Sequence, residues 1–145
     1  MAADWGCGMA RAPSSPQVGL REVPAEVARP LLSPVDGYMT TEHQTVAALA
    51  AAGRCFVIEQ DGRDVAAYVL QRIERECFVL AAAGSVDFDL TAFGLALIEA
   101  HAVGLDSVAF QTRRAGLIRK ARRHGYVIAE RLANGLGYVM RKELK

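Results

Sequence analysis

Hydrophobic and polar positions divide the chain into segments of two periods. VGLREV alternates, which predicts a short strand from Val18. Pro24 is placed to open a helix across AEVARPLL, and Pro30 and Pro34 are expected to break it. Thr41 and Gln44 have the spacing of a capping box, and Val46, Leu49 and Ala50 continue a helix that Gly53 terminates. Two apolar runs, beginning at Cys55 and at Val65, flank Asp61-Gly62, a hairpin signal because both residues tolerate positive φ. A third run, Cys77 to Ala83, follows the charged turn Glu74-Arg75-Glu76. Neither the odd nor the even positions of Val65 to Leu70 are polar, and Cys55 to Ile58 is alike. Both faces of this sheet should therefore be covered by helices.

The second half continues the alternation of elements. A helix is predicted from Leu90 to Val103, with Leu90, Phe93, Leu97 and Ile98 on its apolar face and Gly104 near its end. The strand SVAFQ and the basic helix AGLIRKARRHG follow. YVIAERL and GYVMRKEL are strand-like and are joined by the turn Ala133-Asn134-Gly135. Residues Met1 to Gln17, rich in Gly, Pro, Ala and Ser, carry no periodicity and are expected to form a flexible tail, with Trp5 as a bystander or a small anchor for a partner. The ordered domain should span residues 18–145.

Composition narrows the picture only slightly. A chain of 145 residues, 52% hydrophobic, has enough apolar material for one domain with a single core. Lys and Arg number 17 against 16 Asp and Glu, a formal charge of +1, so electrostatic function must come from local clustering. Cys7, Cys55 and Cys77 form no C-x-x-C pair and suggest a reducing compartment without a zinc site; His43 and His124 offer no metal-like spacing. No window has the length of a membrane span or the apolar core of a secretory signal, and a cytoplasmic protein is expected.

The order β, broken α, α, βββ, α, β, α, ββ resembles the GNAT acetyltransferase superfamily from Leu20 to Leu144. CFVIEQDGRDVAAYVL, LALIEAHAVGLDSVAFQ and RKARRHGYVIAE carry that resemblance. It implies an α/β (α+β) fold, a mixed and mostly antiparallel sheet with helices on both faces. It also implies that the fourth and fifth strands splay and that the pantetheine of an acyl-CoA lies along the fourth, here at Leu80, Ala81 and Ala82. The pyrophosphate would be received on backbone N–H groups of a loop of the type Arg/Gln-x-x-Gly-x-Gly/Ala at a helix start.

Alignment through Ala102 puts Val86, Asp89 and Thr91 at the three defining positions of that loop, with Leu90 between the last two, and none of the three matches. Asp89 reads as a helix N-cap, and its carboxylate would compete with a phosphate for the positive end of the helix dipole. The family's frequent tyrosine acid falls at Ala121, which has no hydroxyl, and Tyr126 falls at a position that is usually core. No catalytic residue is therefore assigned. Glu59, Glu74 and Glu76 read as solvated carboxylates near strand ends, and His101 as a residue packed at the edge of the core.

Arg113, Arg114, Arg119, Lys120, Arg122 and Arg123 form the densest charge cluster, with Arg119, Arg122 and Arg123 spaced to share one helical face. The cluster suits a solvated face, a contact with nucleic acid or an acidic protein, or a clamp on the 3′-phosphate of CoA. The eroded loop favours a non-catalytic binding or structural module with a protein partner. TRRAGLIRKARRHGY is similar in style to degenerate GNAT-like domains of bacteriophage virion and morphogenesis proteins, which would place the chain in a virion. The alternatives are an acetyl-CoA-dependent N-acetyltransferase acting on an amine, and a nucleic-acid binder using the arginine helix.

Overall fold

The computed structural model describes residues 18–38, 45–84 and 89–144. The elements run β1 (Val18–Val23), α1 (Ala25–Leu32), a 3-10 segment (Ser33–Tyr38), α2 (Val46–Ala52), β2 (Arg54–Gln60), β3 (Arg63–Ile73), β4 (Glu76–Gly84), α3 (Leu90–His101), β5 (Ser107–Thr112), α4 (Ala115–Arg122), β6 (Val127–Arg131) and β7 (Tyr138–Glu143). They build one sheet in the order β1-β2-β3-β4-β5-β7-β6. Only the β4–β5 pair is parallel. This is the mixed, mostly antiparallel α/β sheet expected from the sequence.

Helices cover both faces. On one, Phe56, Tyr68, Val79 and Phe110 pack with Leu95 and Ile98 of α3 and Ala121 of α4; on the other, Val57, Ala67, Val69 and Ala81 pack with Ala28 and Leu32 of α1 and Leu49 of α2. Apolar residues at successive positions of β2 and β3 thus serve two separate core layers, which is why those strands show no polar alternation. The Asp61-Gly62 turn has φ of 52° and 82°, the left-handed geometry read from its sequence.

Two local expectations need correction, and a third falls outside the described residues. Pro30 does not break α1: the helix runs through it to Leu32, because complete burial of Ala28 and Leu32 outweighs one missing helical hydrogen bond, and only beyond Leu32 does the chain tighten into the 3-10 segment containing Pro34. The cap of α2 is Thr45, whose hydroxyl accepts from Ala48 N at 3.1 Å; Thr41 and Gln44 lie outside the described residues. The third helix, α3, ends at His101 rather than Val103, and its most buried side chains are Leu95 and Ile98, with Leu90, Phe93 and Leu97 half-buried around them.

Candidate functional site

The site begins with a mismatch in strand pairing. The parallel strands pair only from Glu76 with Ser107 to Val79 with Phe110. Past that point β4 continues to Gly84, held on its other side by β3, while β5 diverges towards β7. The backbone edge of Leu80 to Gly84 therefore faces a gap. A bulge opens it: Val79 pairs with Leu70 and Ala81 with Val69, so Leu80 is an extra residue. The bulge also inverts the alternation of β4. Cys77 and Val79 face the α3–α4 layer, whereas Ala81 faces α1 and α2.

The gap is the mouth of a cleft of about 970 Å³. Its floor is Leu80 to Gly84 of β4 with Ala66 to Tyr68 of β3, one wall is the start of α3, and the other is the end of β5 with α4. Pro30, Leu31, Ser33, Pro34 and Val35 close it from the first helical region. Gly84 is required by close approach, since a Cβ there would lie 2.4 Å from the Cβ of Ala66. Gly94 is different: it sits inside α3, lines the cleft, and has nothing within 4 Å of a Cβ position.

Of the residues singled out from the sequence, Leu80, Ala81, Ala82, Asp89, Leu90 and Thr91 line this cleft; Val86 lies outside the described residues. Asp89 is the N-cap of α3, its Oδ1 accepting from Ala92 N at 3.1 Å. The arginine cluster is divided. Arg114 and Lys120 line the cleft, Arg113 lines a smaller neighbouring pocket, and Arg119, Arg122 and Arg123 are exposed away from both. Ala121 is fully buried, so α4 presents Leu117 and Lys120, not Ala121, to the cleft. Gln111, Thr112, Leu117 and Gly94 were not anticipated. Only the uncapped, unexplained glycine within the apolar pattern of α3 was a usable signal.

The other ionisable candidates are engaged elsewhere. Glu76 is not a solvated carboxylate: Arg141 Nε donates to it at 2.5 Å and Ser107 Oγ at 2.8 Å, and the Arg141 hydrogen bond holds its pKa below the usual carboxylate range. Glu59 pairs with Arg21, and Glu74 occupies a turn with φ of 54°. His101 Nε2 lies 2.9 Å from the Tyr68 hydroxyl, and its ring packs on Phe56; burial pushes its basicity down. Tyr126 is core, its hydroxyl donating to Glu99 Oε2 at 3.0 Å. Cys55 and Cys77 are buried free thiols whose acidity burial weakens, so neither is a reactive thiolate. Among the described residues no group of side chains could hold a metal ion, and no helix is long and apolar enough to cross a membrane. Cys7, Trp5, His43 and the expected tail of residues Met1 to Gln17 lie outside the described residues.

No protein-family model and no curated protein matches the chain. Solved structures do. It is similar to the IAA acetyltransferase from Bacillus cereus ATCC 14579, at 18% identity and TM-score 0.62 over 88% of this chain and 100% of that one. It is similar to a GNAT family acetyltransferase from Elizabethkingia anophelis with acetyl-CoA bound, at 13% identity and TM-score 0.62 over 88% of this chain and 98% of that one. Ard1 from Thermoplasma volcanium matches at 21% identity and TM-score 0.63 over 88% and 98%. The chain has the GNAT acetyltransferase fold.

Proposed function

We propose that the protein is an acyl-CoA-dependent N-acyltransferase, with acetyl-CoA as the acyl donor and an amine as the acceptor. The observation that carries this reading is the divergence of β4 from β5 beyond Val79 and Phe110, over a cleft of about 970 Å³. Unpaired backbone groups along the open edge of β4 suit the amide-bearing pantetheine arm, and a backbone N–H there suits the oxyanion of a tetrahedral intermediate. Arg114 and Lys120 set positive charge at the cleft where the phosphates of CoA need it. Acetyl-CoA supplies a thioester, which the acceptor amine attacks at the carbonyl carbon with departure of the CoA thiol.

The fold shared with acetyltransferases favours this reading over a purely structural module, although fold alone does not carry function. One observation keeps the second reading in play. The Asp89 carboxylate occupies an N–H at the start of α3 that a diphosphate would otherwise take, as a non-catalytic binding module could tolerate. Calorimetric titration with acetyl-CoA, repeated with desulfo-CoA, separates the two. Saturable binding in the micromolar range supports the transferase; absence of binding at millimolar ligand removes it and leaves a binding or structural role, with the exposed Arg119, Arg122 and Arg123 as the first surface to test against an acidic protein or nucleic acid.

A further inference from the structure

Helix α4 carries its charges differently from the rest of the chain. Arg21, Arg54, Arg75, Arg141 and Lys142 each pair with a carboxylate from another part of the sequence. Arg119, Arg122 and Arg123 are exposed and form no ion pair among the described residues, and residues 107–129 contain no Asp or Glu. The three arginines stand at i, i+3 and i+4, Arg123 being the C-cap of α4 and still helical in geometry. Ala121 is fully buried and Ile118 packs against the core, so the arginines hold the opposite, solvent side. Like charges at these spacings repel one another, a local cost that a facing anion relieves.

This basic face is continuous with the cleft. Leu117, Lys120 and Arg123 form one i, i+3, i+6 row along α4; the first two line the cleft and the third carries the row onto the open surface. The mouth of the cleft is also electrically lopsided. Asp89 stands on the α3 wall, where its carboxylate already caps the helix, while Lys120 stands on the α4 wall. An anion entering beside α3 meets Asp89, whereas one entering beside α4 meets Lys120 and then the arginines.

We propose that α4 is the docking surface for a small acidic carrier protein whose phosphopantetheine arm enters the cleft, so that the acyl group is also delivered on a protein-bound arm and not on CoA alone. The arm's place in the cleft rests on the acyltransferase reading; the docking of an acidic surface rests on α4. A carrier joins its arm through a single phosphodiester and has neither the diphosphate nor the adenosine of CoA, so it needs no cradle at the start of α3, where Asp89 sits. Its surface carboxylates match the guanidinium forks of Arg119, Arg122 and Arg123. The acceptor amine attacks the thioester carbonyl carbon, the C–S bond breaks, and the arm leaves as its thiol with the proton that the amine gives up. A nucleic acid fits less well: backbone-held complexes make roughly 6–10 phosphate contacts, against three arginines here. No Phe, Tyr or Trp lies between those arginines to stack on a base.

The test is calorimetric titration of the full chain with a purified acidic carrier protein in its apo, phosphopantetheinylated and acetylated forms, with acetyl-CoA, and with a short DNA duplex. The parent is compared with the triple variant Arg119→Glu, Arg122→Glu, Arg123→Glu and with the triple variant carrying Lys at the same positions. Expected is saturable binding of the acetylated carrier that weakens as salt is raised, at least tenfold weaker binding of the apo form, at least tenfold weaker binding in the Glu variant, and binding within threefold of the parent in the Lys variant. Acetyl-CoA affinity should stay within twofold in both variants. Docking is overturned if the carrier does not bind, if the Glu variant binds it as well as the parent, if the apo form binds as tightly as the acetylated one, or if the duplex binds more tightly than the carrier and is lost in the Glu variant. Acetyl-CoA separates this inference from the reading beneath it. Acetyl-CoA binding without carrier binding removes the docking surface alone, and acetyl-CoA affinity that falls in the Glu variant assigns the arginines to the phosphates of CoA, again removing docking alone. Equal binding of apo and acetylated carrier with no acetyl-CoA binding removes the transferase as well. Carrier binding that needs the arm, without acetyl-CoA binding, supports docking and removes free acetyl-CoA as the donor.

Discussion

Val79 and Phe110 form the last pair of the parallel ladder between β4 and β5, and the bulge at Leu80 begins at the next residue of β4. The cleft is therefore a consequence of backbone pairing rather than of side-chain size. Ala82, exposed on the floor beyond that pair, is a place to fill it without touching the core. Ala82→Trp should leave the far-UV spectrum and Tm near those of the parent while weakening acetyl-CoA binding at least tenfold by calorimetry. Undiminished binding would locate the ligand elsewhere.

The two glycines of the cleft should respond to alanine in opposite directions. A Cβ at Gly84 would lie 2.4 Å from Ala66 Cβ and 2.8 Å from Leu90 Cδ2, so Gly84→Ala must push β4 from β3 or displace α3, at a cost of about 1–3 kcal/mol. Gly94, with open space around it in a helix interior, should gain about 1 kcal/mol as alanine, through helix propensity. At roughly 3 °C per kcal/mol for a chain of this size, thermal melts should show Tm falling for the first and rising for the second.

Glu76 ties the start of β4 to β7 and β5 through Arg141 and Ser107, and its side chain is 19% exposed. Its folded pKa lies below the ordinary value of 4.5, so the stabilisation is complete above pH 4.5 and is lost as pH falls through the folded value. Arg141→Leu should cost about 2 kcal/mol at pH 7, the scale of a charge-assisted hydrogen bond. Urea unfolding at pH 7 and at a series of pH values below 4.5 checks the sign: the gap between parent and variant should shrink as pH falls and Glu76 takes up its proton in the parent. A gap independent of pH would mean that packing, not the ion pair, carries the effect.

What the sequence revealed and what it hid divide along sequence distance. The Asp61-Gly62 hairpin, the double-faced strands and the Asp89 cap were legible because each is set by residues within a few positions of one another. Continuity of α1 through Pro30 was not, because the burial of Leu32 against the sheet is tertiary. The inversion of β4 at Leu80 leaves no trace in the apolar run FVLAAA, where every position suits either face. Likewise Arg141 reaches Glu76 across 65 residues, and Arg113, just past β5, shares a pocket with Arg131 of β6 only because β5 and β6 both flank β7.

Asp89 offers the sharpest distinction between a cleft that binds a diphosphate and one that does not. Its carboxylate caps α3 through Ala92 N, and it lines the cleft at the positive end of the helix dipole. Asparagine caps as well as aspartate, so Asp89→Asn should hold stability within about 0.5 kcal/mol while removing the negative charge. If the phosphates of acetyl-CoA lie against the start of α3, affinity should rise about threefold to tenfold, and the gain should shrink as salt is raised. Calorimetry at low and high ionic strength reads both effects. Equal affinity for parent and variant at every salt concentration would put the phosphates away from α3 and leave Arg114 and Lys120 as the charges that hold them; a salt-sensitive gain would identify Asp89 as a residue that limits the protein's affinity for its donor.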